Sequence, residues 1–143
     1  MAIEFLSAKD SIKGYKESKL AMSETRDCVV RAFAAATDWD YDKSHRFVQK
    51  EFLRQYRCGT KNFMPTMNKM ALEGRKLGRK KIKTISDPNI KTVGQLVKWY
   101  DKGTYIIVIS RHAFTIKDGV VVGGNWNDAE RMRCGIKAFW KIG

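Results

Sequence analysis

The sequence predicts an α+β protein in which helices come first and an antiparallel sheet follows. Three observations support this: apolar residues recur at helical spacing up to about residue 100, β-rich runs dominate from Thr104 onward, and an Asp-Gly pair separates two of those runs. Helices and strands that are segregated along the chain are typical of α+β proteins rather than of alternating βαβ folds. A length of 143 residues fits a single domain over residues 1–143.

The composition is dominated by positive charge. Lysine and arginine number 28 against 15 acidic residues, which gives a formal net charge of +13 and a pI near 9.8. Such a charge favours an acidic partner, namely nucleic acid, a ribosome or a charged protein surface. It is equally compatible with a role in solubility, because net charge bears on non-specific binding more than on any one site.

The three cysteines, Cys28, Cys58 and Cys134, are odd in number and do not form a disulfide framework. Their spacing differs from that of zinc ligands, and only two histidines are present, so we expect no metal and no cofactor. Free thiols indicate a reducing compartment, which predicts a cytoplasmic protein. We see no secretory signal and no apolar run of membrane-spanning length, so no membrane partner is predicted. The oligomeric state is left open.

The first forty residues are predicted to contain a short strand and a buried helix. Residues 3–6 fit the strand, and residues 7–22 fit either a weak helix or a mobile lead-in. A helix over residues 25–36 follows, with Thr25 as its expected N-cap.

Cys28 lies in the first turn of this buried helix. Asp27 beside it places negative charge at the positive end of the helix dipole. A thiol at such a helix start tends to have a lowered pKa, which makes Cys28 a candidate nucleophile. The alternative is that Cys28 packs as a small hydrophobic residue, as most buried cysteines do.

An amphipathic helix is predicted over residues 41–56. Its apolar stripe repeats at helical spacing and consists of Tyr41, His45, Val48 and Phe52. A histidine on such a stripe is more often a packed, hydrogen-bonded residue than a ligand, and we interpret His45 in this way. Cys58 and Gly59 are expected to end the helix, since glycine readily adopts the left-handed conformation that follows a last turn.

A shorter helix opens at about Met64, and a basic run follows it. The inward residues of the helix are predicted to be Met67, Met70, Ala71 and Leu72. Residues 74–83 are the densest basic run of the chain. One interpretation is a patch that faces phosphates. The other is a solvated edge strand whose lysines prevent pairing with another sheet, and the lack of interleaved aromatic residues favours it.

The next helix begins with a capping box, Thr92 at the N-cap and Gln95 at the third helical position. It is expected to end by residues 102–103. Residues 104–109 then predict a central strand, because the run is apolar on both faces.

The remaining strands are predicted around a hairpin. Asp118-Gly119 separates apolar runs at residues 113–116 and 120–122, and Asp-Gly between such runs is a strong hairpin signal. Residues 135–140 alternate in polarity and complete the antiparallel sheet.

The hairpin register predicts a partner for His112. If Asp118 and Gly119 form a two-residue loop, Lys117 pairs with Val120 and His112 lies opposite Asn125, with Cβ atoms ~5 Å apart. An Asn amide can then orient the imidazole, as a nucleophile–base pair requires. A bulge at Gly123-Gly124 would slip this pairing.

The slipped register brings other residues opposite the histidine. These are Trp126, Asn127 and Asp128. Asn127 and Asp128 are therefore alternative orienting residues. Ordinary turn chemistry remains an alternative interpretation of Asn125.

These residues together resemble papain-like cysteine peptidases. The likeness consists of Asp27-Cys28 at the start of a buried helix, Ser110-Arg111-His112-Ala113-Phe114 after an apolar strand, and then Asn125. The chain is most similar to small tailed-phage proteins of this type and, more distantly, to the bacteriocin-processing peptidase domains of peptide exporters. The similarity covers about residues 23–60 and 103–126.

The resemblance implies a papain-like fold, with N-terminal helices packed on a C-terminal antiparallel sheet, and a Cys-His-Asn triad. Cys28 would be the nucleophile, His112 the base that later protonates the leaving amine, and Asn125 the residue that orients His112. The backbone N–H of Cys28 would be one oxyanion donor. The substrate would be a protein or peptide, and the compartment the host cytoplasm if a phage encodes the chain.

The chain departs from that family at three positions. Papain-like enzymes have a glutamine six residues before the cysteine as a second oxyanion donor, and here Met22 stands there. Ser23, Thr25 or Arg26 are possible substitutes. Relatives often have glycine before the histidine and an acid after the hairpin, where this chain has Arg111 and Gly123.

Two function hypotheses follow. The first is a cysteine peptidase or related thiol-dependent amide hydrolase. The second is a catalytically silent papain-like fold that binds nucleic acid or a ribosome through its basic surface. A structural role in the virion has no support beyond the phage-like resemblance.

Overall fold

The protein is described here by a computed structural model that covers residues 4–124 and 133–143. Its elements in chain order are β1 (Phe5–Ser7), α1 (Ala8–Ser11), α2 (Lys19–Ser23), α3 (Cys28–Thr37), α4 (Tyr41–Glu51), α5 (Phe63–Leu72), β2 (Lys76–Leu77), β3 (Lys80–Ile85), α6 (Val93–Trp99), β4 (Thr104–Ile109), β5 (His112–Lys117), β6 (Val120–Gly124) and β7 (Ala138–Ile142). The predicted α+β class is confirmed, and the lead-in contains two short helices.

Within the described ranges the strands form one seven-stranded sheet in the order β1-β6-β5-β4-β7-β3-β2. β4 lies at its centre and all six of its residues are buried, as the two-sided apolar run predicted. The expectation of a purely antiparallel sheet is wrong, because β1 pairs with β6 in parallel. A parallel pair requires a long connection between its two strands, and here most of the chain lies between β1 and β6.

Helices cover both faces of the sheet. Ile106 and Val108 of β4 pack into the larger core cluster together with α3, whereas Tyr105, Ile107 and Ile109 pack into a second cluster with α6. Successive side chains of a strand point to opposite faces, so the alternation along β4 divides the two cores. The result is a layered arrangement with α3 against β5 and β6.

Helix α3 begins at Cys28, and its N-cap is Asp27 rather than the predicted Thr25. Arg26 lies between them with φ of 52°, in the left-handed region, so it separates Thr25 from the helix. The Thr25 hydroxyl instead donates to the carbonyl oxygen of Arg57, 3.1 Å away. The prediction that Cys28 occupies the first turn is confirmed.

Helix α4 ends at Glu51, well before the predicted end at Cys58-Gly59. Leu53 adopts φ of 53°, which stops the helix. Phe52 turns into the core, where its ring lies 5.6 Å from that of Phe63. The interpretation of His45 is confirmed, since the residue is buried and its Nε2 lies 2.6 Å from Glu24 Oε2.

Helices α5 and α6 largely follow the sequence pattern. Met67 and Met70 of α5 are buried as predicted, but Leu72 is 91% exposed. Leu72 follows Met70 by two residues, or about 200° around the helix, so it points away from the core. In α6 the capping box is present: Thr92 Oγ1 accepts from Gln95 N at 3.2 Å, and Gln95 Oε1 accepts from Thr92 N at 3.1 Å.

The basic run forms the β2–β3 hairpin, so the predicted edge strand is confirmed for β2, whereas β3 pairs with β2 on one side and with β7 on the other. The last strand, β7, begins and ends later in the chain than the predicted strand at residues 135–140. It spans Ala138–Ile142 and pairs with both β3 and β4.

The β5–β6 hairpin has the predicted register. Lys117 pairs with Val120, and the pairing continues to Thr115 and Val122. Asp118 and Gly119 both have positive φ, 48° and 79°, as a type I′ turn requires. The sheet therefore presents His112 at the start of β5, beside α3.

Candidate active site

Cys28 and His112 come together where the first residue of α3 meets the first residue of β5. The Cys28 thiol is hydrogen-bonded to the His112 side chain and also to the backbone N–H of Ala113. This contact joins residues 84 positions apart, and it exists because α3 packs directly on β5. The predicted nucleophile and base are therefore in contact.

The surroundings lower the pKa of the Cys28 thiol below its ordinary value. Burial by itself raises the pKa, but hydrogen bonds from His112 and the Ala113 N–H, together with the positive charges of His112 and Arg31, outweigh it. Cys28 is half-buried, so the sulfur is neither sealed in the core nor free in solvent. A thiol that is partly exposed and stabilised as thiolate has the properties of a reactive cysteine.

The backbone at the start of α3 offers a hydrogen-bond donor beside the sulfur. Cys28 is the first helical residue, so its N–H has no acceptor within the helix. A backbone N–H in this place, at the positive end of the helix dipole, is suited to bind a developing oxyanion.

Asp27 fixes the start of α3. Its carboxylate accepts from the Tyr41 hydroxyl at 2.6 Å and from Arg31 Nε at 3.2 Å. Tyr41 is buried, and burial together with the Asp27 carboxylate raises the pKa of its hydroxyl. The residue before the nucleophile is thus tied to α4 on one side and to the next turn of α3 on the other.

Glu24 anchors the segment that leads to Cys28. Its side chain is fully buried, and it accepts from both terminal nitrogens of Arg54 at 2.9 Å and from the backbone N–H of Arg57 at 2.8 Å. His45 and the Thr25 N–H complete the shell of the carboxylate. Although burial raises the pKa of Glu24, the hydrogen bonds from Arg54 and His45 bring it down to about 2.

The thiol and the imidazole open on a cleft of about 700 Å³. Its walls come from the turn before α3, from residues 59–60 before α5, and from the β4–β5 turn. Apolar side chains such as Phe63 and Val108 line part of it, and Arg26 and Arg111 contribute positive charge. A cleft of this size accommodates a segment of peptide.

The sequence predicts three candidates for the residue that orients His112. Asn125, with the alternatives Asn127 and Asp128, lies outside the described residues. The pairs described between β5 and β6 end at Thr115 and Val122 and contain no bulge. An irregularity does occur on the other side of β6, where Leu6 of β1 pairs with Val122 and Ser7 pairs with Gly124, so Gly123 has no partner in β1.

Gly123 is required by its surroundings. It has φ of 72°, and a Cβ there would lie 2.8 Å from the Cβ of Ala35 in α3. Such an approach excludes a side chain, so the glycine allows β6 to pack closely against the helix that carries Cys28.

Of the three residues expected to replace the missing oxyanion glutamine, only one lines the cleft beside Cys28. Met22 lies on α2 and is 78% exposed. The Ser23 hydroxyl donates to a carbonyl of its own helix, and the Thr25 hydroxyl donates to Arg57. Arg26 does line the cleft beside Cys28.

Sequence reasoning missed several parts of this site. The Ala113 N–H, the Glu24–Arg54 pair and the left-handed turns at Arg26 and Arg111 have no sequence signal. Non-glycine residues rarely adopt positive φ, so the local sequence predicts negative φ at both arginines.

In the part of the chain that the structure describes, no group of three or more His, Cys, Asp or Glu side chains is arranged to hold a metal ion. The helices within residues 4–124 and 133–143 are all too short or too polar to cross a bilayer.

Comparison with protein-family models, with curated proteins and with solved structures found no match to this chain. The fold and the site together define the class of this protein: an α+β protein with a Cys-His pair in a cleft. Any function has to be argued from the geometry of that pair.

Proposed function

We propose that this chain is a thiol-dependent amide hydrolase, most simply a cysteine peptidase, with Cys28 as nucleophile and His112 as general acid–base. One observation carries the proposal: the Cys28 thiol at the N-terminus of α3 is hydrogen-bonded to His112, and both face the same cleft. A nucleophile within hydrogen-bond reach of a base is the arrangement that covalent acyl transfer needs.

We assign the fold to the papain-like type on the same basis. A buried helix with the cysteine at its start packs on an antiparallel strand that begins with the histidine, and these two features support that assignment. Asn125 stays the proposed orienting residue because the hairpin register runs toward it.

The chemistry proceeds in two halves. The Cys28 thiolate attacks the carbonyl carbon of the substrate amide, and the oxyanion that forms accepts a hydrogen bond from the Cys28 N–H. The C–N bond breaks as protonated His112 gives its proton to the leaving amine, which leaves a thioester on Cys28. Water then attacks the thioester and gives a proton to His112. The C–S bond breaks, which releases the carboxylic acid and restores the thiolate.

The pH dependence of alkylation tests this proposal. Cys28 should react with iodoacetamide at pH values well below the unperturbed thiol pKa of ~8.5, because the folded protein stabilises its thiolate. The His112→Gln variant loses one hydrogen bond and one positive charge near the sulfur, so its profile should move to higher pH.

Cys58 and Cys134 are internal controls in the same sample, resolved by mass spectrometry of the peptides. Their labelling should not change in His112→Gln. A Cys28 profile that matches that of N-acetylcysteine, or one that is the same in His112→Gln, would refute the proposal.

A second candidate function, nucleic-acid binding, is favoured by a specific surface. Lysines directly oppose one another in two strand pairs. They are exposed on one face of the three strands nearest the β2 edge: Lys76, Lys81, Lys83 and Lys141. We call this set the lysine ladder. Like charges directly opposite each other destabilise a sheet unless an anion screens them, and a phosphate backbone supplies such anions.

Binding to a DNA or RNA duplex measured by fluorescence anisotropy at several salt concentrations tests the ladder. Removing two phosphate contacts with Lys83→Gln/Lys141→Gln should reduce the slope of log K against log salt by about 2, since each contact adds about 0.9. The matched control is Lys9→Gln/Lys13→Gln, which removes the same charge from exposed positions elsewhere. Equal slopes in the two double variants would contradict a specific role for the ladder.

A further inference from the structure

Three arginines stand around the Cys28–His112 pair in the cleft. Arg26 lies two residues before Cys28, Arg31 lies one helical turn after it, and Arg111 directly precedes His112. Among the described residues, no aspartate or glutamate lines this cleft. The reacting atoms therefore lie in a positively charged environment.

The three arginines are not equivalent. Arg31 is paired with Asp27, with 3.2 Å between Nε and Oδ1, so its guanidinium already has a carboxylate partner. Arg26 and Arg111 are exposed, and neither forms an ion pair with a carboxylate that the structure describes. These two guanidinium groups are available to a ligand.

Both available arginines are attached to the site by constrained turns. Arg26 has φ of 52° and Arg111 has φ of 58°. A non-glycine residue rarely adopts this conformation, and it persists where the surrounding structure imposes it.

The contacts around each turn identify what imposes it. The carbonyl oxygen of Thr25, just before Arg26, accepts from Arg54 Nη2 at 3.1 Å. Arg111 is in the short turn that joins the paired residues Ile109 and His112. The backbone of each arginine is therefore fixed beside one of the two reacting residues, and both side chains line the same cleft.

We propose that this cleft selects amide substrates that carry a carboxylate next to the scissile bond, namely acidic peptides with Asp or Glu within a residue or two of it. The inference rests on the proposed function and names the substrate class of that site. Guanidinium groups bind carboxylates through paired, charge-assisted hydrogen bonds, which supplies both orientation and affinity. The apolar part of the wall, with Phe63 and Val108, receives the neighbouring side chains.

The first test measures the charge preference of the cleft without hydrolysis. Iodoacetate and iodoacetamide have similar size and differ in charge, so the ratio of their rates with Cys28 reports on the local field. The ratio is normalised to that of N-acetylcysteine in the same buffer. We expect a normalised ratio of about ten or more at low salt, falling as salt is added because exposed charges are screened.

The variants locate the source of that preference. Arg26→Gln and Arg111→Gln should each lower the normalised ratio about three- to fivefold, as expected for the loss of one exposed charge interaction. The double variant should lower it further than either single change, to the preference that His112 and Arg31 maintain. Arg79→Gln/Lys81→Gln is the matched control, because it removes the same charge at the β2–β3 hairpin and should leave the ratio unchanged. A wild-type ratio near one, or a double variant equal to the control, would overturn the proposal.

The second test measures substrate choice. Peptide pairs that differ by Glu or Gln beside the cleaved bond should show a higher kcat/KM for Glu in the wild type, and Arg26→Gln/Arg111→Gln should remove the difference. An equal kcat/KM for both members of the pair in the wild type would overturn the proposal.

Two further outcomes separate this inference from the proposed function. If no peptide is cleaved but the alkylation ratio behaves as expected, the proposal of amide hydrolysis is contradicted and the proposal that the cleft selects anions is supported. If an oligonucleotide protects Cys28 from iodoacetamide and a Glu-rich peptide does not, the cleft binds phosphate and the assignment of an acidic peptide fails.

Discussion

Replacing Cys28 by alanine should reduce amide hydrolysis to the uncatalysed rate, and His112→Gln should lower kcat/KM by about 10²–10⁴-fold, the usual contribution of a general acid–base. The first change removes the atom that bonds to the substrate. The second keeps a side chain of similar polarity but one that cannot transfer a proton. Cleavage of a mixed peptide library, followed by mass spectrometry of the products, measures both effects.

The two losses should not add. A nucleophile and its base act as one unit, so the double variant should be no slower than Cys28→Ala alone. Cys58→Ser is the matched control, because it replaces another half-buried thiol. Its activity should equal that of the wild type. Residual thiol-dependent cleavage in Cys28→Ala, or equal losses in Cys58→Ser, would contradict the assignment of the nucleophile.

Replacing Glu24 by glutamine should lower the free energy of unfolding by about 3–5 kcal/mol, because it leaves a buried cation without its partner. The side chains of Arg54 and Glu24 are 1% and 0% exposed, so water cannot take the place of the lost carboxylate. Urea titration of the wild type and the variant measures the difference. Glu73→Gln is the control, since Glu73 is exposed and its loss should change stability by less than about 0.5 kcal/mol.

The effect of Glu24 should depend on pH with a definite sign. The pKa of Glu24 is about 2 in the folded protein, against 4.5 for the unperturbed group. A carboxyl with a depressed folded pKa contributes stability that is fully present above its unfolded pKa and is lost as pH falls through its folded pKa. The difference between wild type and Glu24→Gln should therefore be constant above pH 4.5 and shrink toward pH 2. A difference that does not change across this window would contradict the role given to the carboxylate.

Elements whose signals are local were predictable. The capping box at Thr92 and Gln95 and the Asp118-Gly119 turn each depend on residues close in sequence, and the structure contains both. The hairpin register followed from the length of the turn, and the first-turn position of Cys28 followed from the composition of the stretch after it.

Errors arose where a distant contact outweighs a local preference. Thr25 is a good N-cap by type, but its hydroxyl binds the carbonyl of Arg57 instead. The sequence pattern predicts that the helix beginning at Tyr41 continues to residue 56. The helix ends at Glu51 instead, because Phe52 packs against Phe63 and Leu53 adopts positive φ. Neither outcome can be read from neighbouring residues.

The sequence by itself determined the class of fold, most element positions and the two residues of the candidate pair, because helix starts, strand alternation and a two-residue turn depend on short-range chemistry. Only the tertiary structure decided that Cys28 touches His112, that Glu24 and Arg54 are buried together, and that Arg26 and Arg111 share one cleft. Those contacts join residues from separate parts of the chain. Their geometry depends on how α3 packs against the sheet, which no local pattern specifies.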